Sequence, residues 1–144
     1  MRVRLSCTPN TSFRNNMRLF LDTDILLDVL LERQEFFEGS AAVLDWAEAH
    51  PGQCAVSWHG LANIHYLSPD GAWDFISELT DFCVIPGAGT HEMKRALELG
   101  FKDLEDAMQT STALLFKAQI IVTRNVTDYQ RSPIKALRPT ELSL

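Results

Sequence analysis

The stretch Phe20-Leu21-Asp22-Thr23-Asp24-Ile25-Leu26-Leu27-Asp28 constrains the fold more than any other part of the chain. Apolar residues lead straight into an acid, a second acid follows two residues later, and apolar helix formers come next. That order predicts a buried strand over Arg18–Asp22. A helix should start at once, capped by Thr23 or Asp24, with Ile25, Leu26, Val29 and Leu30 on its buried stripe. The end of the strand then presents the Asp22 carboxylate at the mouth of a sheet, the edge where parallel sheets keep their ligand sites.

Downstream, Phe36–Ala49 reads as an amphipathic helix with Phe36, Phe37, Ala41, Val43, Leu44 and Ala47 apolar, ended by Pro51-Gly52. Cys54–Trp58 reads as a second strand and His59–Leu67 as a helix closed by Ser68-Pro69-Asp70-Gly71. Ala72–Thr80 is a short helix, Phe82–Ile85 a third strand, and Thr90–Leu99 a helix with Gly100 at its end. In Asp103–Lys117 the residues Leu104, Ala107, Met108, Ser111 and Leu115 recur at helical spacing. Gln119–Thr123 is a fourth strand rich in β-branched residues, Arg124–Pro133 a polar loop, and Ile134–Leu137 an edge strand. Strands alternating with helices imply an α/β chain whose mainly parallel sheet is covered on both faces. Residues 17–144 form one domain on this reading. The polar segment Met1–Asn16 reads as a disordered leader or a non-native remnant, with Met17 as a candidate natural start.

A net charge of −6 argues against a protein that coats nucleic acid nonspecifically. It does not exclude a nuclease, because a metal site gathers carboxylates and a bound cation reverses their local sign. No apolar run is long enough to span a bilayer, and the first sixteen residues lack the apolar core of a secretory signal. Cys7, Cys54 and Cys83 are odd in number and far apart, which suits a reduced, cytoplasmic compartment. His50, His59, His65 and His91 have no zinc-ligand spacing and read as structural or surface residues.

Three acid-bearing spots follow or face strand ends: Asp22 with Asp24, the run Asp103-Leu104-Glu105-Asp106, and Asp128 after the fourth strand. In a parallel sheet all three lie at one edge, where converging carboxylates repel one another unless a hard divalent cation neutralises them. Mg²⁺ or Mn²⁺ held by oxygen ligands points to phosphodiester hydrolysis. Each acid also has a plainer reading. Asp22 could cap the first helix, and Asp24 could simply favour its dipole. Asp103 is foremost an N-cap, with Asp106 three residues on. Glu105 could face solvent, and Asp28 could be solvated or paired with Arg33. Lys102, Arg124 and Arg131 flank the acids and could grip phosphates. Trp58, Tyr66 and Tyr129 could stack bases, although core packing competes, most strongly for Trp58.

Three blocks together resemble the PIN-domain ribonucleases, a family that includes VapC-type toxins. They are Phe20–Asp28, Asp103-Leu104-Glu105-Asp106-Ala107-Met108-Gln109, and Ile121-Val122-Thr123-Arg124-Asn125-Val126-Thr127-Asp128-Tyr129. The resemblance covers the chain from about Met17 onward. It implies a three-layer α/β/α sandwich, a Mg²⁺ or Mn²⁺ site and cleavage of single-stranded RNA. Carried over residue by residue, Asp22, Asp106 and Asp128 are the catalytic and metal-holding acids, with Asp24 and Asp103 as further candidate ligands. Thr123 would supply a hydroxyl beside them, Asn125 would orient the loop, and Glu105 would support the acids. The toxin role implies a small antitoxin protein as partner and a homodimer.

The family usually carries an acid on the helix after the second strand. Here that helix reads Trp58-His59-Gly60-Leu61-Ala62-Asn63-Ile64-His65-Tyr66-Leu67, with Asn63 at the aligned position. An Asn can ligate through its carbonyl but adds no charge. A non-catalytic PIN-like module that binds RNA or protein is therefore an alternative. A haloacid dehalogenase-type phosphatase is a further one, because Asp22-Thr23-Asp24 mimics the nucleophile motif of that class.

Overall fold

The computed structural model describes residues 16–144, so the leader expected over 1–16 lies outside the described residues except for Asn16. Among the described residues, five strands form a single sheet: β1 (Leu19–Leu21), β2 (Cys54–Ala55), β3 (Cys83–Val84), β4 (Ile120–Val122) and β5 (Lys135–Leu137). The α-helices among the described residues that flank it are α1 (Thr23–Leu30), α2 (Phe37–Ala49), α3 (Trp58–Leu67), α4 (Pro69–Leu79), α5 (Thr90–Glu98) and α6 (Leu104–Phe116). Every strand pair is parallel, in the order β3-β2-β1-β4-β5. The chain winds outward from β1 to β3, then crosses back and continues on the other side of β1. The topological switch point, where such sheets open a crevice, therefore falls between β1 and β4.

Alternation along the central strands builds the two cores. Leu19 and Leu21 of β1 join Ile25, Leu26, Val43, Trp46, Leu61, Ile64 and Leu79 of α1–α4 on one face. Phe20 points the other way, with Ile121 of β4, Ala113 and Phe116 of α6, and Tyr129. Both faces are covered, as a three-layer sandwich requires. Cys54 and Cys83 are free, buried and opposite each other in register. Burial pushes both thiols up, Cys83 to about 12, which leaves them poor nucleophiles near neutral pH.

Several expectations need correcting. β2 is shorter than Cys54–Trp58 because Ser57 starts α3: its hydroxyl accepts from the Gly60 N–H at 3.0 Å. Trp58 thus becomes the first helical residue and is 77% exposed instead of lying in the core. Pro69 opens α4, but Asp70 and Gly71 are not helical and Gly71 has φ 81°, so the regular helix begins at Ala72 as expected. The loop after β4 contains a 3-10 turn, Val126–Tyr129. The stripe expected on α6 holds at Ala107 and Ser111, which are buried, but not at its two leucines. Leu104 and Leu115 are exposed, whereas Gln109, Thr110, Ser111 and Thr112 are buried. Their hydroxyls are satisfied by nearby carbonyls: Thr110 donates to Asp106 O at 2.9 Å, Thr112 to Met108 O at 2.8 Å, and Ser111 to Glu92 O of α5 at 2.6 Å. Paired in this way, they can be buried at little cost. Among the described residues no helix is long and apolar enough to cross a membrane.

Candidate active site

β1 carries Asp22 to the switch point, where its N–H continues the ladder by donating to Val122 O of β4 at 2.9 Å. Asp22, and neither Thr23 nor Asp24, occupies the N-cap position of α1, yet its side chain makes no capping bond. The carboxylate is held instead from three distant places. Gln109 Nε2 of α6 donates to Oδ1 at 3.1 Å, and the hydroxyls of Thr123 and Tyr129 donate to Oδ2 at 2.8 and 3.1 Å. Oδ2 is therefore committed to two hydroxyls, while Oδ1 takes a single donor. Burial pushes this carboxyl upward, and the two hydroxyls pull against that. Gln109 Nε2 also donates to Thr23 Oγ1 at 2.9 Å, tying α6 to the start of α1.

Asp24 lies in the first turn of α1. Its Oδ2 accepts from the Arg124 N–H at 3.3 Å and from Asn125 Nδ2 at 3.2 Å, while Oδ1 is buried without a partner. Burial, followed by the neighbouring Asp22 charge, pushes Asp24 up to about 7. The Asn125 N–H donates to Thr123 Oγ1 at 3.1 Å, so the loop after β4 is tied to both acids of the first block.

Asp103 caps α6 as expected, accepting from the Asp106 N–H at 3.0 Å. Asp106 is half-buried and pushed up to about 7, by burial first and then by the charges of Asp103, Asp22, Asp128 and Glu105. Glu105 is raised as well, by burial and then by Asp22 and Asp103.

These groups meet in a cleft of about 460 Å³ lined by Asp22, Asp24, Asn63, Glu105, Asp106, Asn125 and Asp128, with Tyr66 and Leu67 on its wall. A second cleft of about 230 Å³ shares Asp106 and Asp128 and adds Asp103, Lys102 and Arg131. Two of the three cations read from the sequence as phosphate contacts thus border the acids. The third does not. Arg124 Nε pairs with Oδ2 of Asp28 at 2.8 Å, so its side chain is engaged away from the cleft. Asp28 is fully buried and not solvated, and Arg33 reaches its other oxygen at 3.5 Å. Tyr129, read as a base-stacking candidate, is buried against Asp22. Tyr66, by contrast, is 84% exposed.

Two partners of Asp22 escape the sequence reading: the side chain of Gln109, which has no role there, and the hydroxyl of Tyr129, whose ring alone is considered. Gln109 sits three residues after Asp106 on one helix face, and that spacing was the available signal. Among the described residues, no three His, Cys, Asp or Glu side chains converge closely enough to enclose an ion. The donor chemistry nonetheless suits a hard cation. The donors are oxygens, the unpartnered Asp24 Oδ1 needs a positive neighbour, and the mutual raising of Asp106 and its neighbours is relieved by one. Mg²⁺ keeps several waters and needs only one or two carboxylates, so loosely spaced acids are compatible with it.

No curated protein matches the chain in sequence. Among solved structures, the fold is similar to a toxin–antitoxin complex from Klebsiella pneumoniae, with TM-score 0.63 and 24% identity over 87% of this chain and 99% of that one. It is similar to VapBC2 from Rickettsia felis bound to a DNA fragment from their promoter, with TM-score 0.63 and 17% identity over 85% and 98%. FitAcB from Neisseria gonorrhoeae gives TM-score 0.59 and 18% identity over 86% and 99%. At those identities the likeness establishes the fold, the parallel five-stranded sandwich described above. A family model described as PIN domain matches residues 18–127, a span that includes β1 to β4 and every acid of the cleft except Asp128. The chain belongs to the PIN domain family.

Proposed function

We propose that the chain is a Mg²⁺- or Mn²⁺-dependent endoribonuclease that cuts single-stranded RNA and acts as the toxin of a toxin–antitoxin pair. The observation that carries this reading is the gathering of Asp22, Asp106 and Asp128, from three distant parts of the sequence, in one cleft at the switch point of the sheet. Asp22 is held rigid by Gln109, Thr123 and Tyr129 and keeps acceptor capacity on Oδ1. Asp106 and Asp128 stand across from it, and Asp24, Asp103, Glu105, Asn63 and Asn125 complete the polar lining. The ion, when bound, supplies Lewis-acid activation of water and neutralises charge at the phosphate. Lys102 and Arg131 flank the acids and would hold the phosphate backbone beside them. The exposed Tyr66 on the cleft wall offers a stacking face to an unpaired base.

The toxin role draws on the neighbours, one of them a toxin–antitoxin complex and another VapBC2 bound to promoter DNA. It implies a small antitoxin protein as partner, a homodimer and a cytoplasmic setting. The test is cleavage of labelled single-stranded RNAs by the purified protein with Mg²⁺ or Mn²⁺, against EDTA and Asp22→Asn controls. Metal-dependent cuts that vanish in Asp22→Asn support the reading.

The second reading, a non-catalytic module that binds RNA or protein, is favoured by Asn63, which lines the cleft without adding charge, and by the loose spacing of the acids. Wild-type protein that binds but never cuts several RNAs would establish it.

A further inference from the structure

Arg124 follows Thr123 at the edge of the sheet where the acids gather, yet its side chain belongs to a different cavity, bordered by Phe36, Gly39, Ser40 and Arg138. There its Nε donates to Oδ2 of Asp28 at 2.8 Å, and the guanidinium lies over the Phe36 ring at 4.1 Å from the centroid. Ser40 donates to the same Asp28 oxygen at 3.0 Å. Asp28 is fully buried, so this pairing cannot be released without stranding a charge. The guanidinium is thereby fixed to α1 and to the start of α2. At its other end, Arg124 offers its backbone N–H to Asp24 Oδ2, and the next residue adds its side-chain amide to the same atom. Thus Asp24 and Asp28, one turn apart on α1, grip the same residue from the cleft side and from the core side.

We propose that Arg124 is a positioning residue: anchored on Asp28 and Phe36, it holds the two N–H donors that fix Oδ2 of Asp24, and so keeps Oδ1 of Asp24 available to a divalent cation. The inference rests on the metal-dependent reading above only in taking Asp24 to serve the cation. A buried ion pair adds little net stability over apolar replacements, so orientation is the contribution that distinguishes it. It also accounts for a cation beside an RNA-binding cleft that does not face the cleft.

The test is Mn²⁺ affinity, read by electron paramagnetic resonance on the full chain, together with anisotropy of a labelled single-stranded RNA in EDTA. The double variant Asp28→Asn with Arg124→Gln removes both charges at once and so strands neither. It should keep the wild-type melting temperature, lose about tenfold in Mn²⁺ affinity, and bind metal-free RNA as wild type does. Arg124→Lys, which keeps the charge, should recover part of that loss. In an Asp24→Asn background the double variant should cost nothing further, because both changes act through one carboxylate. Unchanged Mn²⁺ affinity in the double variant, a full additive loss on top of Asp24→Asn, or a loss confined to RNA binding would each overturn the proposal. So would a wild-type protein that binds no Mn²⁺. A wild-type protein that binds Mn²⁺ but cuts no RNA removes the nuclease reading and leaves this inference standing.

Discussion

The hydroxyl of Tyr129 donates to Oδ2 of Asp22 at 3.1 Å, joining residues 107 positions apart inside a buried pocket. Phe101 packs edge-on against the same ring, at 6.2 Å between centroids. The phenol thus serves the carboxylate with its oxygen and the core with its ring. Burial and the charges of Asp22 and Asp106 push its own titration far upward, so it stays a donor.

Tyr129→Phe isolates the oxygen, because the ring and its packing survive. Asp22 then loses one of three side-chain donors in a site that water reaches poorly. The expected cost is about 1.5–3 kcal/mol in urea unfolding, the range for a bond to a charged group. RNA affinity in EDTA should not change, since the ring is buried. A large fall in RNA binding with normal stability would reinstate Tyr129 as a stacking platform.

Gly60 brings α3 close against Thr23 of the first acid block. A Cβ there would lie 2.6 Å from both Ser57 Oγ and Thr23 Oγ1. The first atom caps α3, and the second accepts from Gln109, so relief of the clash disturbs a cap or the Gln109 bridge. Ala favours a helix over Gly by about 1 kcal/mol, whereas overpacking costs roughly 1–3 kcal/mol. Gly60→Ala should therefore destabilise the fold on balance, read as a lower urea midpoint with an unchanged slope. A raised midpoint would mean that Thr23 and Ser57 move aside freely.

Much of this arrangement was legible in the sequence because it is written in local signals. An apolar run ending in Asp22, the Asp103 cap and the β-branched run before Thr123 are each decided within a few residues. What escaped depends on partners far along the chain. Gln109 looks like a solvent-facing residue until its bond to Asp22, 87 residues earlier, is known. Arg124 looks like a phosphate grip until Asp28, 96 residues earlier, is found buried beside it. Trp58 looks like core because it is apolar. The Ser57 cap sets where α3 starts, and that turns Trp58 outward. Hydrophobic patterning finds the faces of elements, but it cannot tell a buried polar group with a distant partner from an exposed one.

Asp103 combines a structural role with a charge, and the two can be separated. Asp103→Asn keeps a side-chain oxygen for the Asp106 N–H and should leave stability unchanged, while Asp103→Ala should cost about 1 kcal/mol for the lost cap. Both remove a charge that raises Asp106. If Asp103 is a cap first, Mn²⁺ affinity should fall only slightly in Asp103→Asn and by about tenfold or more in Asp106→Asn. Equal losses in the two variants would make Asp103 a ligand in its own right.

Asp24 and Asp106 give the protein a pH dependence whose sign follows from their environment. Both carboxyls are pushed from 3.8 up to about 7. Below about pH 4 the folded and unfolded chains both hold these protons. Between about pH 4 and pH 7 the unfolded chain gives them up while the folded chain keeps them, so stability falls as pH rises and levels off above that window. In EDTA the melting temperature should therefore decline across this range, with both carboxyls contributing. A divalent cation competes with the same protons. Mg²⁺ or Mn²⁺ should raise the melting temperature strongly at about pH 8 and hardly at about pH 5, because the free-ligand sites exist only once the carboxyls ionise. Asp24→Asn should flatten both trends. A melting temperature that climbs with pH in EDTA, or a cation effect equal at the two pH values, would mean that these acids are not crowded in the way the cleft requires.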